Sequence, residues 1–185
     1  MKRFFTLIVI LSALSTSAQT TMRSVLTMMP DTIIPYLTAN NRLDFVDFID
    51  SGMKAEVLNA FNGKSVLSKL TDHYASIQLN RSSDLTLCLL DVETPVDSTS
   101  QIILVVWNFG SNPSESSVHF YTTGWKELKT NDYLSTPDEM FTAKIDENFQ
   151  LMIKPSTYFD MPAEIDQRIE EKSSIILKWN KRRFN

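Results

Sequence analysis

The chain has 185 residues and a formal net charge of −4, with one cysteine, two histidines and four glycines. Such a mildly acidic composition excludes a non-specific nucleic-acid binder, which needs a basic surface to displace phosphate counterions. A single cysteine, Cys88, rules out an internal disulfide and a zinc site built on thiolates, and His73 and His119 leave little for any other zinc site.

The chain opens with "MKRFFTLIVILSALSTSAQT". Lys2 and Arg3 form a charged start, Phe4 to Leu14 an apolar run, and Thr16-Ser17-Ala18 a small-residue cleavage site. This predicts a signal peptide over residues 1–18, with Gln19 first in the mature chain. The run of about 11 residues is short of the ~20 that span a bilayer, and no later segment is longer. No cysteine lies near the cleavage site, so a lipoprotein anchor is not expected. Without its signal the chain carries a net charge of about −6, since Lys2 and Arg3 leave with it. The remaining residues, 19–185, suit one domain of ordinary size, held together by packing alone.

Two helical segments come next. "TMRSVLTMM" has Thr20 or Thr21 as N-cap and runs into Pro30, which an α-helix interior does not accommodate. "PDTIIPYLT" suggests a further short turn limited by Pro35. "NNRLDFVDFIDSG" then places Asn40 or Asn41 as cap and Gly52 as stop. On its helical wheel Asp44, Asp47 and Asp50 fall at roughly 0°, 300° and 240°, opposite Phe45, Val46, Phe48 and Ile49. One straight face cannot wrap the six to eight oxygens that calcium requires. The three aspartates therefore read as a solvated face, and Asp50 is spaced to pair with Lys54.

After Lys54 the apolar period shortens from helical to alternating. "AEVLNAF" and "KSVLSKL" flank Asn62-Gly63, a strong hairpin signal. "HYASIQL" and "LTLCLLDV" alternate as strands, "ETPVDSTS" reads as a linker, and "QIILVVWNF" as a central strand buried on both faces. With "SVHFYTTGWKEL" this gives at least six strands between residues 55 and 128, in an antiparallel meander. "KTNDYLSTPDEM" reads as an exposed loop, "FQLMIK" as a strand, "DMPAEIDQRIEEKSS" as a helix, "SIILKW" as a closing strand and "NKRRFN" as a solvated basic tail. The order predicts an α+β fold with N-terminal helices on one face of a mainly antiparallel sheet and one short C-terminal helix.

Chemistry is sparse. Cys88 and His119 could form a nucleophile–base pair, but Cys88 lies in the apolar "LTLCLL" with no lysine or arginine beside it, the pattern of an inert core thiol. No G-x-S-x-G elbow exists, and Gly52, Gly63, Gly110 and Gly124 are too scattered for a phosphate cradle, so no cofactor is expected. Asp91 with Glu93, and Glu170 with Glu171, are ordinary turn and helix carboxylates unless the fold sets a pair across a cleft. The one arresting constellation is "SVHFYTTGW": as a strand it puts His119, Tyr121, Thr123 and Trp125 on one face and Val118 and Phe120 on the other. Exposed, His119, Tyr121 and Trp125 would suit a protein or a sugar; covered, they are core rings with satisfied edges.

"MPDTIIPYLTANNRLDFVDFIDSGMKAEVLNAFNGKS", "LTLCLLDV" and "VHFYTTGWKEL" together resemble a family of small secreted proteins of Bacteroides-type gut bacteria, catalogued as a domain of unknown function. The likeness spans nearly the whole mature chain. It implies export in a Gram-negative bacterium and one compact α+β domain, and it transfers no activity, ligand or catalytic residue. The sequence thus points first to a non-enzymatic protein-interaction module of the cell envelope. A glycan-binding module comes second, and a hydrolase whose carboxylates converge only on folding comes third.

Overall fold

The structure, a computed structural model, describes residues 20–110, 114–156 and 174–185. The expected signal peptide and the helix expected from Asp160 onward lie outside them. Helix α1 spans Met22–Met28 and α2 Ala39–Asp50. Seven strands follow: β1 (Glu56–Leu58), β2 (Lys64–Leu70), β3 (Tyr74–Asn80), β4 (Ser83–Val96), β5 (Thr99–Phe109), β6 (Glu115–Thr122) and β7 (Glu127–Leu128). A helical turn, α3 (Thr130–Tyr133), leads to β8 (Phe141–Ile145), β9 (Gln150–Pro155) and β10 (Ile175–Lys178). The fold is α+β and mostly sheet. No described helix is long and apolar enough to cross a membrane.

Both N-terminal helices start at reciprocal caps. The Thr21 hydroxyl accepts from Ser24 N–H while the Ser24 side chain accepts from Thr21 N–H. In α2 the cap is Thr38, not Asn40 or Asn41: its hydroxyl accepts from Asn41 N–H at 3.2 Å, and Asn41 Oδ1 accepts from Thr38 N–H at 3.1 Å. Asn41 is thus the third helical residue, the return partner in the box. Gly52 follows the helix with φ +67°, a left-handed conformation that suits a residue without Cβ. Asp44, Asp47 and Asp50 are exposed, as the wheel predicts. Asp50, however, pairs with Arg23 at 2.6 Å, and Lys54 turns instead to Glu56 at 2.6 Å. Packing α1 against α2 offers Asp50 a closer cation than its own helix does.

Strands β1 to β7 form one antiparallel meander in sequential order. "ETPVDSTS" is not a linker. The β4–β5 ladder runs from Ser83↔Phe109 out to Val96↔Thr99, and only Asp97 and Ser98 make the turn, both with positive φ. The β1–β2 connection is longer than a two-residue Asn-Gly turn. Its ladder ends at Leu58↔Lys64, and Asn59 N–H donates to Gly63 C=O at 2.7 Å across the loop 59–63.

Register assigns each face of the large sheet to a cover. Leu85, Leu87 and Leu89 lie opposite Trp107, Val105 and Ile103 and join the core beneath the helices with Val25, Leu26 and Phe45. Cys88, Leu90, Ile102, Leu104, Val106, Val118 and Phe120 face the other way, onto a second sheet of order β10-β9-β8. The helices therefore cover one face as expected, and a small antiparallel sheet covers the other. Its β8 lies in a stretch without a predicted strand. The "KTNDYLSTPDEM" stretch is not wholly exposed, since Leu134 is buried. Nor is the C-terminal tail free: Phe184 is buried, its N–H bonds Tyr133 C=O at 2.8 Å, and Arg182 pairs with Glu93.

Candidate functional site

The face expected to carry His119, Tyr121, Thr123 and Trp125 is divided by the structure. Strand β6 ends at Thr122, and Trp125 sits in the following turn with φ +66°. Its ring folds back to 5.5 Å from Tyr121, and its indole N–H donates to Val25 C=O in α1 at 3.1 Å. Tyr121 and Trp125 are each 8% exposed and belong to the helix-side core. Burial pushes the Tyr121 phenol up from its ordinary pKa, and nearby Glu127 adds to this. His119 remains half-buried at the edge, its Nδ1 3.2 Å from a Glu127 carboxylate oxygen.

The thiol–imidazole pair is separated by the sheet itself. Cys88 lies opposite Leu104, which lies opposite Phe120, on the small-sheet face; His119 lies opposite Val105, which lies opposite Leu87, on the helix face. The Cys88 thiol is buried and its pKa is pushed up by desolvation, with Asp146 adding repulsion, so it is held protonated. The carboxylate pair is likewise occupied: Asp91 accepts from Gln101 Nε2 at 3.1 Å, and the Arg182 guanidinium holds Glu93 below its ordinary pKa. Among the described residues no three His, Cys, Asp or Glu side chains gather where a metal could bind.

An arrangement that the strand pattern does not suggest stands at one end of the large sheet. Four rings converge there from three segments: Tyr36 between the helices, Phe61 in the β1–β2 loop, and Trp107 and Phe109 at the end of β5. Tyr36 meets Phe61 edge-on at 5.0 Å and Trp107 at 6.4 Å, while Trp107 stacks on Phe109 at 5.3 Å. Phe61 is 64% exposed and Phe109 41%. Beside them opens a cleft of about 410 Å³, walled by Tyr36, Phe61 and Trp107 together with Pro35, Asn59, Gly63 and Asn80. That size falls within the ordinary range of ligand pockets.

Asn59 builds the cleft's wall. Its buried side chain accepts from Phe61 N–H and Gly63 N–H, both at 3.0 Å, and donates to Ser65 Oγ and Leu79 C=O at 2.9 and 3.1 Å. Tyr36 is tied to the same loop, since Ala60 N–H donates to its carbonyl at 2.9 Å. Phe61 is thereby held outward on a fixed loop. Three donors around the cleft, by contrast, have no partner among the described residues. The Trp107 indole N–H is buried without an acceptor. The Asn80 amide uses its oxygen on Ser82 but leaves its NH2 unbonded, and the Tyr36 hydroxyl makes no hydrogen bond.

Comparison with known proteins places the chain. A family model described as "Protein of unknown function (DUF3256)" matches residues 13–152, more than half of the sequence. The chain belongs to DUF3256. A solved structure described as a domain of an uncharacterized protein from Porphyromonas gingivalis W83 superposes with a TM-score of 0.74 at 18% identity. The match covers 89% of this chain and 96% of that one and shows a shared fold. No curated protein matches. The family resemblance read from the sequence thus holds as a domain of unknown function, with a structural neighbour from Porphyromonas gingivalis. Neither comparison assigns this DUF3256 chain a site. The cleft escapes pattern reading because its rings lie far apart in sequence, but one signal was available. Phe61 and Phe109 directly precede the turn formers Asn62-Gly63 and Gly110, where a large apolar side chain has little reason to be unless it meets something.

Proposed function

We propose that this chain is an exported, non-enzymatic binding protein of the cell envelope, and that the aromatic cleft at the end of the large sheet is its contact site. The observation that carries the reading is the combination at one place of exposed rings, a rigid loop and unpaired donors. Aromatic anchors in a preformed hollow are the usual centre of a recognition surface. Export rests on the three-part N-terminal segment. Of the carboxylate pairs named for the hydrolase reading, Asp91 and Glu93 are engaged by Gln101 and Arg182, and Glu170 and Glu171 lie outside the described residues. Of the rings singled out in the sequence, His119 alone stays open enough to join a contact, and Tyr121 and Trp125 act by holding β6 to α1.

The test is a photo-reactive diazirine residue placed at position 61 of the full chain in its native host, with position 47 on the exposed face of α2 as the comparison. A covalent adduct at 61 and none at 47 is expected. Equal labelling at the two positions overturns the assignment of the cleft. Export is checked separately by sequencing the N-terminus of the protein recovered from the envelope, where Gln19 is expected to be first.

A further inference from the structure

We infer that the occupant of the cleft is a saccharide, an inference that rests on the cleft being the binding site. The chemistry around it is lopsided. Its two amide oxygens are consumed: the Asn59 oxygen takes Phe61 and Gly63 N–H, and the Asn80 oxygen takes Ser82 N–H and hydroxyl. Its donors are not. The Trp107 indole N–H and the Asn80 NH2 lack acceptors among the described residues, and the Tyr36 hydroxyl is free to donate. A buried N–H without an acceptor costs free energy that a complementary oxygen recovers.

The ligand that fits is therefore rich in oxygen acceptors and also has an apolar face to lay on rings. A sugar ring has both, with axial C–H groups on one face and hydroxyl and ring oxygens around its edge. An aliphatic anchor from a partner protein would cover the rings but leave the donors unpaired. The rings also differ in role. Tyr36 lies at 65° to Phe61 and 58° to Trp107, forming a corner, while Phe61 and Phe109 present exposed ring surface. The volume of about 410 Å³ admits a short saccharide, not a folded domain.

The experiment titrates the isotope-labelled mature chain with soluble oligosaccharides and follows the three tryptophan indole N–H signals by NMR. The panel comprises α-glucan, β-glucan, xylan, chitin and polygalacturonate hexamers together with the peptidoglycan disaccharide. A saturable shift of the Trp107 signal is expected for at least one of them. Trp125 and Trp179 should stay still, because their N–H groups are already bonded to Val25 and Asp91 carbonyls. Trp107→Phe keeps the ring and removes the donor, and it should weaken binding about tenfold. Phe61→Ala should weaken it further without loss of fold. Silence across the panel overturns the saccharide, as does binding that ignores both substitutions. Silence here with a protein adduct at position 61 leaves the contact site standing and removes only the sugar; silence in both experiments removes both.

Discussion

Trp125 and Trp107 pack against the same helix-side core, each beside a tyrosine, and they end in opposite states. Around Trp125 the helix α1 closes over the ring, Val25 offers its carbonyl to the indole N–H, and Tyr121 fills the space beside it. Around Trp107 no carbonyl of the described residues reaches the N–H, and Phe61 and Phe109 nearby are left in solvent. The same residue types thus complete the core at one place and stay partly exposed at the other. What separates them is whether a helix supplies an acceptor and a cover, because an aromatic side chain buries well only where its polar edge is satisfied.

Truncation should separate the two sites most sharply. Trp125→Ala opens a cavity between β6 and α1 and should cost about 3–5 kcal/mol of unfolding free energy in urea titrations. Phe61→Ala, at an exposed loop position, should cost less than about 1 kcal/mol. A comparable loss at the two positions would mean that the cleft ring is structural, and the contrast would collapse.

A gentler pair isolates the polar edges. Trp125→Phe keeps a ring but leaves the Val25 carbonyl without its partner, with an expected cost of about 1–3 kcal/mol from the bond and the lost volume. Trp107→Phe removes a donor that has no acceptor to lose, so the lost ring volume is partly offset by relief of a buried unpaired group. Its melting temperature should fall by less than that of Trp125→Phe. An equal fall would show that an acceptor, such as an ordered water, already serves Trp107.

These contrasts mark how far the sequence could be read. The large sheet was legible because a layer covered on each side makes its central strands apolar on both faces, and "LTLCLLDV" and "QIILVVWNF" carry such unbroken runs. Strand β8 was not, since "FTAKI" is short and its partner β9 lies beyond a turn. Asn59 was hidden for a different reason. In sequence it is one more polar residue ahead of Asn-Gly, whereas in the fold its buried amide organises the whole loop 59–63. Tyr121 and Trp125 share an alternating face only while β6 continues. The positive φ of Trp125 ends that alternation, which no composition rule signals for a tryptophan. The cleft needed three distant segments to meet, and such convergence is written in the topology rather than in any local pattern.

The smallest difference lies in the acid response of the two ends. Glu56 opens β1, the strand that leads into the Phe61 loop, and its carboxylate sits 2.6 Å from the Lys54 ammonium and 2.5 Å from that of Lys64. Hydrogen bonds from Lys54 first, and then Lys64, lower its pKa from 4.5 to about 2. A carboxyl whose pKa is lower folded than unfolded stabilises the fold above its unfolded pKa, and loses that effect as pH falls through the folded one. The contribution is therefore full above pH 4.5 and gone near pH 2. Both lysines stand in water, so salt should screen most of it. Glu56→Gln should accordingly lower the melting temperature slightly at neutral pH and low salt, with the difference from the parent chain closing as pH falls towards 2. The loss should be felt first as fraying of the β1–β2 hairpin, seen as broadening of the Phe61 ring signals, while the Trp125 indole N–H, held by a backbone carbonyl, keeps its line. Simultaneous broadening of both signals would show that the two ends unfold as one unit, and that the cleft is no more loosely held than the core.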